Sequence, residues 1–319
     1  MSFRVCDYSP LVFEELRLLQ GIPNEMFLES FVGPSSEETM TKSNAKSDSY
    51  FYKTADERFL IKTIVYPEVC ALLSLLKDYY KHLVMYPKSF LVKICGMWRI
   101  KDDEREDIWI IVMKNTFPPS FKMEETYDLK GRKAKPGSKL ATEGDVKRDN
   151  QYSPILFQEE DKLFFISQIQ HDVELLRSHK MMDYSLLIGI HTGPLDADSM
   201  PSNFLRGDSF RNIQNSNSYT LKYIWINIID ILTVYNTQKK IANLFKTKLF
   251  ERDSLSTVDS EFYATRFLNF ATTSLINSEE DTKLPQQNST TSSPLPPDLK
   301  ESPTLLSPPP SLDQLNNEM

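Results

Sequence analysis

Lys180–His191 reads KMMDYSLLIGIH, and Tyr223–Tyr235 reads YIWINIIDILTVY. Each holds an apolar run of strand length with one aspartate at a telling place. Asp183 stands immediately before the first run, where its carboxylate would end up at a strand terminus. Asp230 interrupts the second, with no charge nearby to offset it. Burying a lone carboxylate costs several kcal/mol unless it is paired or holds a metal. An aspartate in such a run therefore points to function. For either string alone, a helix cap or a pairing with a structural arginine stays open.

Outward from these runs the chain reads as α/β. Pro10–Gln20 has helical spacing and is ended by Gly21 and Pro23. Asp48–Ile64 predicts two strands around a polar turn at Ala55, Asp56 and Glu57. Pro67–His82 predicts a helix with proline in its first turn. Phe90–Val92, Trp109–Met113 and Tyr223–Ile231 read as strands, and Glu160–Ser178 and Glu261–Leu275 as helices. His191–Ser218, which carries GPLDADSMPSN and NIQNSNS, reads as an irregular surface insertion. From about Asn277 to Met319 the chain turns to Ser, Thr, Asn and Pro, and a disordered tail is expected.

Composition narrows the class. The 319 residues are 40% hydrophobic and 25% charged, ordinary values for a globular protein, and can bury a substantial core. The net charge of −7 argues against nucleic-acid binding driven by total charge, though not against a local basic patch. Cys6, Cys70 and Cys95 are too scattered for a disulfide framework, and no Cys/His cluster has zinc spacing. A reducing, cytoplasmic setting is expected, without a signal peptide or transmembrane span.

Two further strings carry chemistry. Tyr127–Lys139 reads YDLKGRKAKPGSK, and FLIKT ends a strand with Lys62 shortly before Glu68 opens a helix. Phosphoryl transfer needs a cation on the ATP phosphates, a carboxylate for Mg²⁺, and a second carboxylate for the attacking hydroxyl. Lys62, Asp230 and Asp183 are of those types. Taken singly, a lysine in a strand is usually a solvated edge residue, and Lys62 alone reads so.

Together the strings resemble the phosphatidylinositol phosphate kinases, which carry (I/L)IKT, DLKGS, MDYSLL and IID in that order. Here these stand at Leu60–Thr63, Asp128–Arg132, Met182–Leu187 and Ile228–Asp230. The likeness runs from DYSPLVFEELRLLQGI to STVDSEFYATRFLNF. It implies an α+β, protein-kinase-like catalytic domain over residues 1–276. A small antiparallel β lobe with a helix (about 1–115) would precede a larger α/β lobe (about 116–276). It also implies ATP and Mg²⁺, with Asp183, Lys62 and Lys130 catalytic and Asp230 holding the metal. Lys46, Ser47, Lys62, Glu68, Met113, Asn115 and Lys130 would meet the nucleotide.

Two departures stand out. Asp48 occupies the place of a glycine in the family's nucleotide loop, where a carboxylate would repel phosphates. DLKGS has become DLKGR, and Arg132 is expected to add a cation beside the nucleotide.

After Asp230, NTQKKIANLFKTKLFERDSLSTV occupies the family's specificity loop, with Ile241, Leu244, Phe245 and Leu249 at helical spacing among lysines. That pattern suits an anionic membrane surface. The expected partner is a phosphoinositide at the cytosolic face of a membrane, met through Lys135, Lys239, Lys240, Ala242 and Lys246. Ala242 matches the family's 5-phosphate 4-kinases, whereas Lys135 matches its 4-phosphate 5-kinases. The reading leans to the 5-kinase and leaves the 4-kinase, mixed specificity and a non-catalytic phosphoinositide-binding scaffold open. The N-terminus lacks the extension through which the 4-kinases pair, so their dimer is not assumed.

Overall fold

The computed structural model describes residues 3–32, 40–42, 49–102, 106–133, 140–142, 144–152, 154–157, 159–192, 209–214, 220–235 and 258–278. Within them the protein is a mixed α/β molecule whose two larger sheets are mainly antiparallel.

The first sheet holds β1 (Phe3–Tyr8), β2 (Met40–Lys42), β3 (Tyr50–Lys53), β4 (Phe59–Ile64), β5 (Ile94–Asp102) and β6 (Ile108–Lys114). Its order is β1-β5-β6-β4-β3-β2. Helix α3 (Tyr66–Met85) packs on one face with a stripe of Val69, Leu72, Leu76, Tyr79 and Leu83. Its first turn is closed by Glu68, whose Oε2 accepts the Val65 N–H at 3.0 Å. Helix α1 (Pro10–Leu19) buries Phe13 and Leu16 in the same core and stops where Gly21 takes φ 67°. The opposite face, through Phe59 and Val112, meets Phe27 of α2 (Asn24–Val32) in a smaller cluster with Ile22 and Cys95.

The second sheet holds β7 (Glu125–Leu129), β8 (Lys147–Arg148), β10 (Ser185–Thr192), β11 (Ser209–Gln214) and β12 (Thr220–Ile229), in the order β11-β12-β10-β7-β8. Two helices pack with it: α4 (Glu159–Ser178) and α5 (Ser260–Asn269). Asp259 caps α5, its Oδ1 accepting the Phe262 N–H at 2.8 Å. A short parallel pair joins β9 (Ile155–Phe157) to β13 (Ile276–Ser278). One continuous core runs from Ile94, Met97 and Ile111 of the first sheet to Leu186, Ile188, Ile226 and Ile228 of the second.

The helices at 10–20, 67–82 and 160–178 and the paired strands around Ala55–Glu57 form as the periodicity predicts. Three expectations need correcting. Phe90–Val92 is no ladder strand: it links α3 to β5 and passes beside β12, where Leu91 makes one isolated bridge to Ile228. The insertion at 191–218 is not wholly irregular, since Ser209–Gln214 pairs with Thr220–Trp225. The helix over 261–275 changes at Phe270 into a π-helical turn reaching Ser274. The pair β9–β13 carries regular structure to Ser278. Neither β1 nor α2 was anticipated. The first is an edge strand with Phe3 and Val5 exposed, and the second buries only Phe27 and Ser30, so both have weak patterns.

Gly189 of β10 marks where the second sheet is tightest. A Cβ there would lie 2.5 Å from Phe117 Cε1 and 2.8 Å from Met123 Sδ. Gly189→Ala is therefore expected to lower unfolding free energy by about 1–3 kcal/mol in urea titration. A loss under about 0.5 kcal/mol would mean that Phe117 moves aside freely.

Candidate active site

Three neighbouring strands of the second sheet present their charged residues at one end. In the β7–β10 pairing Leu129 faces Leu186, and in the β10–β12 pairing Ser185 faces Ile229. Lys130 follows β7, Asp183 precedes β10 and Asp230 follows β12, so antiparallel register alone gathers all three. Lys130 Nζ donates to Asp183 Oδ1 at 2.8 Å and to the Asp183 carbonyl at 2.5 Å.

Both aspartates have left-handed backbones, Asp183 at φ 63° and Asp230 at φ 58°. For a non-glycine residue this costs of order 1–3 kcal/mol and needs surrounding bonds to hold it. Those bonds are present. The Met182 N–H donates to the Thr233 carbonyl at 2.8 Å, and the Tyr235 N–H to that of Lys180 at 3.0 Å. The Tyr263 hydroxyl of α5 donates to the carbonyl of Tyr184, next to Asp183.

The first sheet adds a cation. Lys62, on β4 between Phe51 and Ile111, is buried. Its Nζ lies 3.2 Å from Asp230 Oδ1 and 3.6 Å from Glu68 Oε1. Burial works against its charge, but Asp230 and Glu68 together outweigh it and raise its pKa above the ordinary lysine value. Lys62, Glu68, Asp230, Asp183 and Lys130 thus form the site as two ion-paired groups. Asp230 keeps its side chain about half exposed, which fits an oxygen donor shared with a divalent cation.

The remaining expected residues divide. Met113 lies on β6 opposite Leu60, next to the strand that carries Lys62. The Asn115 side-chain amide donates to the Glu57 carbonyl at 2.9 Å, which ties it to the β3–β4 turn. Lys46, Ser47, Asp48, Lys135, Lys239, Lys240, Ala242 and Lys246 lie outside the described residues.

Arg132 is paired within its own turn. Its Nε lies 3.0 Å from Asp149 Oδ2, so its charge is matched locally. The same carboxylate accepts the Lys130 N–H at 2.7 Å through Oδ1. Asp149 thereby anchors the DLKG turn and aims Lys130. Sequence reasoning missed it, because only the parallel β7–β8 pairing, Asp128 opposite Arg148, brings it there. Gly131 completes the turn at φ 62°, where a Cβ would lie 2.7 Å from Phe270 Cβ.

A cavity of about 510 Å³ lies elsewhere, between Ile22, Met26, Arg58, Phe59, Phe117 and Trp225. It reaches Asn115 but none of Lys62, Lys130, Asp183 and Asp230. Volume alone supplies no acid, base or phosphate-binding cation, so the ion-paired groups are the better candidate for chemistry.

Comparison with known proteins places the chain in a family. The phosphatidylinositol-4-phosphate 5-kinase family profile matches residues 34–220 and 195–274. Phosphatidylinositol 4-phosphate 5-kinase 3 of Arabidopsis thaliana is 30% identical over 317 residues, covering 84% of this chain and 44% of the plant protein. Human phosphatidylinositol 5-phosphate 4-kinase type-2 alpha is 31% identical, covering 84% and 77%. Human phosphatidylinositol 4-phosphate 5-kinase type-1 beta is also 31% identical, covering 84% and 58%. The chain thus spans less than half of one relative and about three-quarters of another. With the profile matching most of its length and the motif residues assembled in one place, the chain belongs to the phosphatidylinositol phosphate kinase family.

Proposed function

We propose that this chain transfers the γ-phosphate of ATP to a phosphatidylinositol monophosphate, with the 4-phosphate as substrate and the 5-hydroxyl as acceptor. The observation that carries the reading is the meeting of Lys62, Glu68 and Asp230 with Lys130 and Asp183 at one end of the second sheet. The domain would span residues 1–276 as a two-lobed, kinase-like unit with the site where the lobes meet.

In this mechanism Lys62, held charged by Glu68 and Asp230, binds the ATP phosphates. Asp183 orients the attacking ring hydroxyl and takes its proton as the new P–O bond forms and the bond to the ADP oxygen breaks. Lys130 fixes the Asp183 carboxylate, and Asp149 fixes Lys130. Asp230 would hold Mg²⁺, which would supply neutralisation of the phosphate charge when bound. Lys46, Ser47, Met113 and Asn115 are proposed to complete the nucleotide site. Lys135, Lys239, Lys240, Ala242 and Lys246 would face the lipid. No described helix is long and apolar enough to cross a membrane, and contact is proposed to be peripheral, at a cytosolic face.

A second reading, phosphatidylinositol 5-phosphate 4-kinase activity, is favoured by Ala242 and by the similarity to the human type-2 alpha enzyme. Vesicles carrying the 3-, 4- or 5-monophosphate, supplied with Mg·ATP labelled at the γ-phosphate, separate the readings. Label is expected chiefly on the 4-phosphate. Preference for the 5-phosphate would select the second reading, and no transfer from a folded, vesicle-binding protein would favour a scaffold.

Asp183→Asn, Asp230→Asn and Lys62→Met should each cut turnover by at least about 10³-fold with the circular-dichroism spectrum retained. Near-parental turnover in any of them would remove that residue from its role. In the double variant Glu68→Gln/Asp230→Asn, burial is left as the main influence on Lys62. Its Nζ should then titrate below the ordinary lysine range in ¹⁵N NMR, the reverse of the parent. An unchanged titration would show that the carboxylates do not set its charge.

A further inference from the structure

Asp172 is fully buried on α4, beside Gln168 in a stripe of Phe165, Ile169, Val173 and Leu176. A carboxylate at such a position is costly unless each of its acceptor sites is filled. Here four donors converge on it. His82 Nε2 of α3 donates to Oδ1 at 2.6 Å, Ser89 Oγ at 2.8 Å and Gln168 Nε2 at 2.9 Å, while the Phe90 N–H donates to Oδ2 at 2.6 Å. Oδ1 takes three of these donors and Oδ2 one, so both oxygens of the carboxylate are hydrogen-bonded.

The donors show what it holds. Ser89 and Phe90 open the segment that links α3 to β5 and lies against β12. Immediately afterwards the Ile228 N–H donates to the Phe90 carbonyl at 2.6 Å, and the Val92 N–H donates to the Ile228 carbonyl at 2.9 Å. Both polar groups of Ile228 are thus gripped by a segment that Asp172 anchors, and Asp230 lies two residues farther on. His82 lies on the helix whose first turn carries Glu68, the other partner of Lys62. One carboxylate therefore ties the helix of Glu68 to the strand end of Asp230.

We infer that Asp172 is a positioning residue for Asp230: by anchoring Ser89 and Phe90 it sets where β12 ends and where the metal-binding carboxylate is presented. This rests on the reading of Asp230 as a metal ligand. The buried network serves the site across a distance that neither residue bridges directly.

The test uses the whole chain with Asp172→Asn, which keeps the shape but turns one acceptor group into a donor among four donors. Mn²⁺ affinity is measured by electron paramagnetic resonance with a non-hydrolysable ATP analogue present, beside amide exchange at Val92 and Ile228. Mn²⁺ binding should weaken about tenfold, as it does when support behind a metal ligand is lost, and both amides should exchange faster. Ser89→Ala removes one donor only and should shift both readouts the same way by less. If Asp172→Asn folds and keeps parental Mn²⁺ affinity, the inference is overturned, whatever its melting temperature. If it does not fold, parental Mn²⁺ affinity in Ser89→Ala overturns it. Asp230→Asn is the control for the underlying reading: parental Mn²⁺ affinity there would remove Asp230 as a ligand and the inference with it.

Discussion

A lysine ammonium removed from water, held between Glu68 and Asp230, joins the two sheets of this protein at its candidate site. Such a group is a poor source of stability, because the desolvation of both partners offsets much of their attraction. Its use is positional. The pairing obliges α3 to present Glu68 and β12 to present Asp230 at the same cation. Because the folded pKa of Lys62 is raised, its contribution is full below the unfolded value near 10.4 and lost only as pH climbs through the folded value. Across the neutral range the ammonium is a constant feature of the site.

The cost of that arrangement is spread over the surrounding backbone. Asp183 and Asp230 both take left-handed conformations at strand ends, and extra bonds between 180–182 and 233–235 hold them there. Behind three of the functional side chains stands a buried polar group with its own partners. Asp149 serves Lys130, the Tyr263 hydroxyl serves the carbonyl beside Asp183, and the Asp172 network serves the strand that ends at Asp230. These supports come from α3, α4, α5 and the turn after β8, so the site draws on most of the fold. The π-helical turn after α5 belongs to the same scheme, since Phe270 packs against Gly131 of the DLKG turn.

The strong helices and the strands around Lys62, Asp183 and Asp230 were legible because their burial is one-sided and periodic. The weak elements were not. The edge strand β1 leaves Phe3 and Val5 exposed, and β11 lies in a polar stretch without apolar alternation. Phe90–Val92 was misread because an apolar triplet has no period long enough to separate a ladder strand from a linking segment. The supporting acids escaped for a different reason. Asp149 sits in KRDN and Asp172 in HDVELL, and nothing local distinguishes them from surface charge.

Arg132 shows the limit most clearly. As a residue type in DLKGR it is simply an added cation, yet β7–β8 pairing sets Asp149 against it and matches its charge. By itself the sequence determined the residue types of the chemistry, the order of the motifs and the periodic elements that carry them, since those depend on neighbours along the chain. Tertiary structure alone decided which charges meet, which are neutralised and which buried carboxylates hold them in place. Strand register and helix packing join residues far apart in sequence, and the energy of a buried charge depends on which partners arrive.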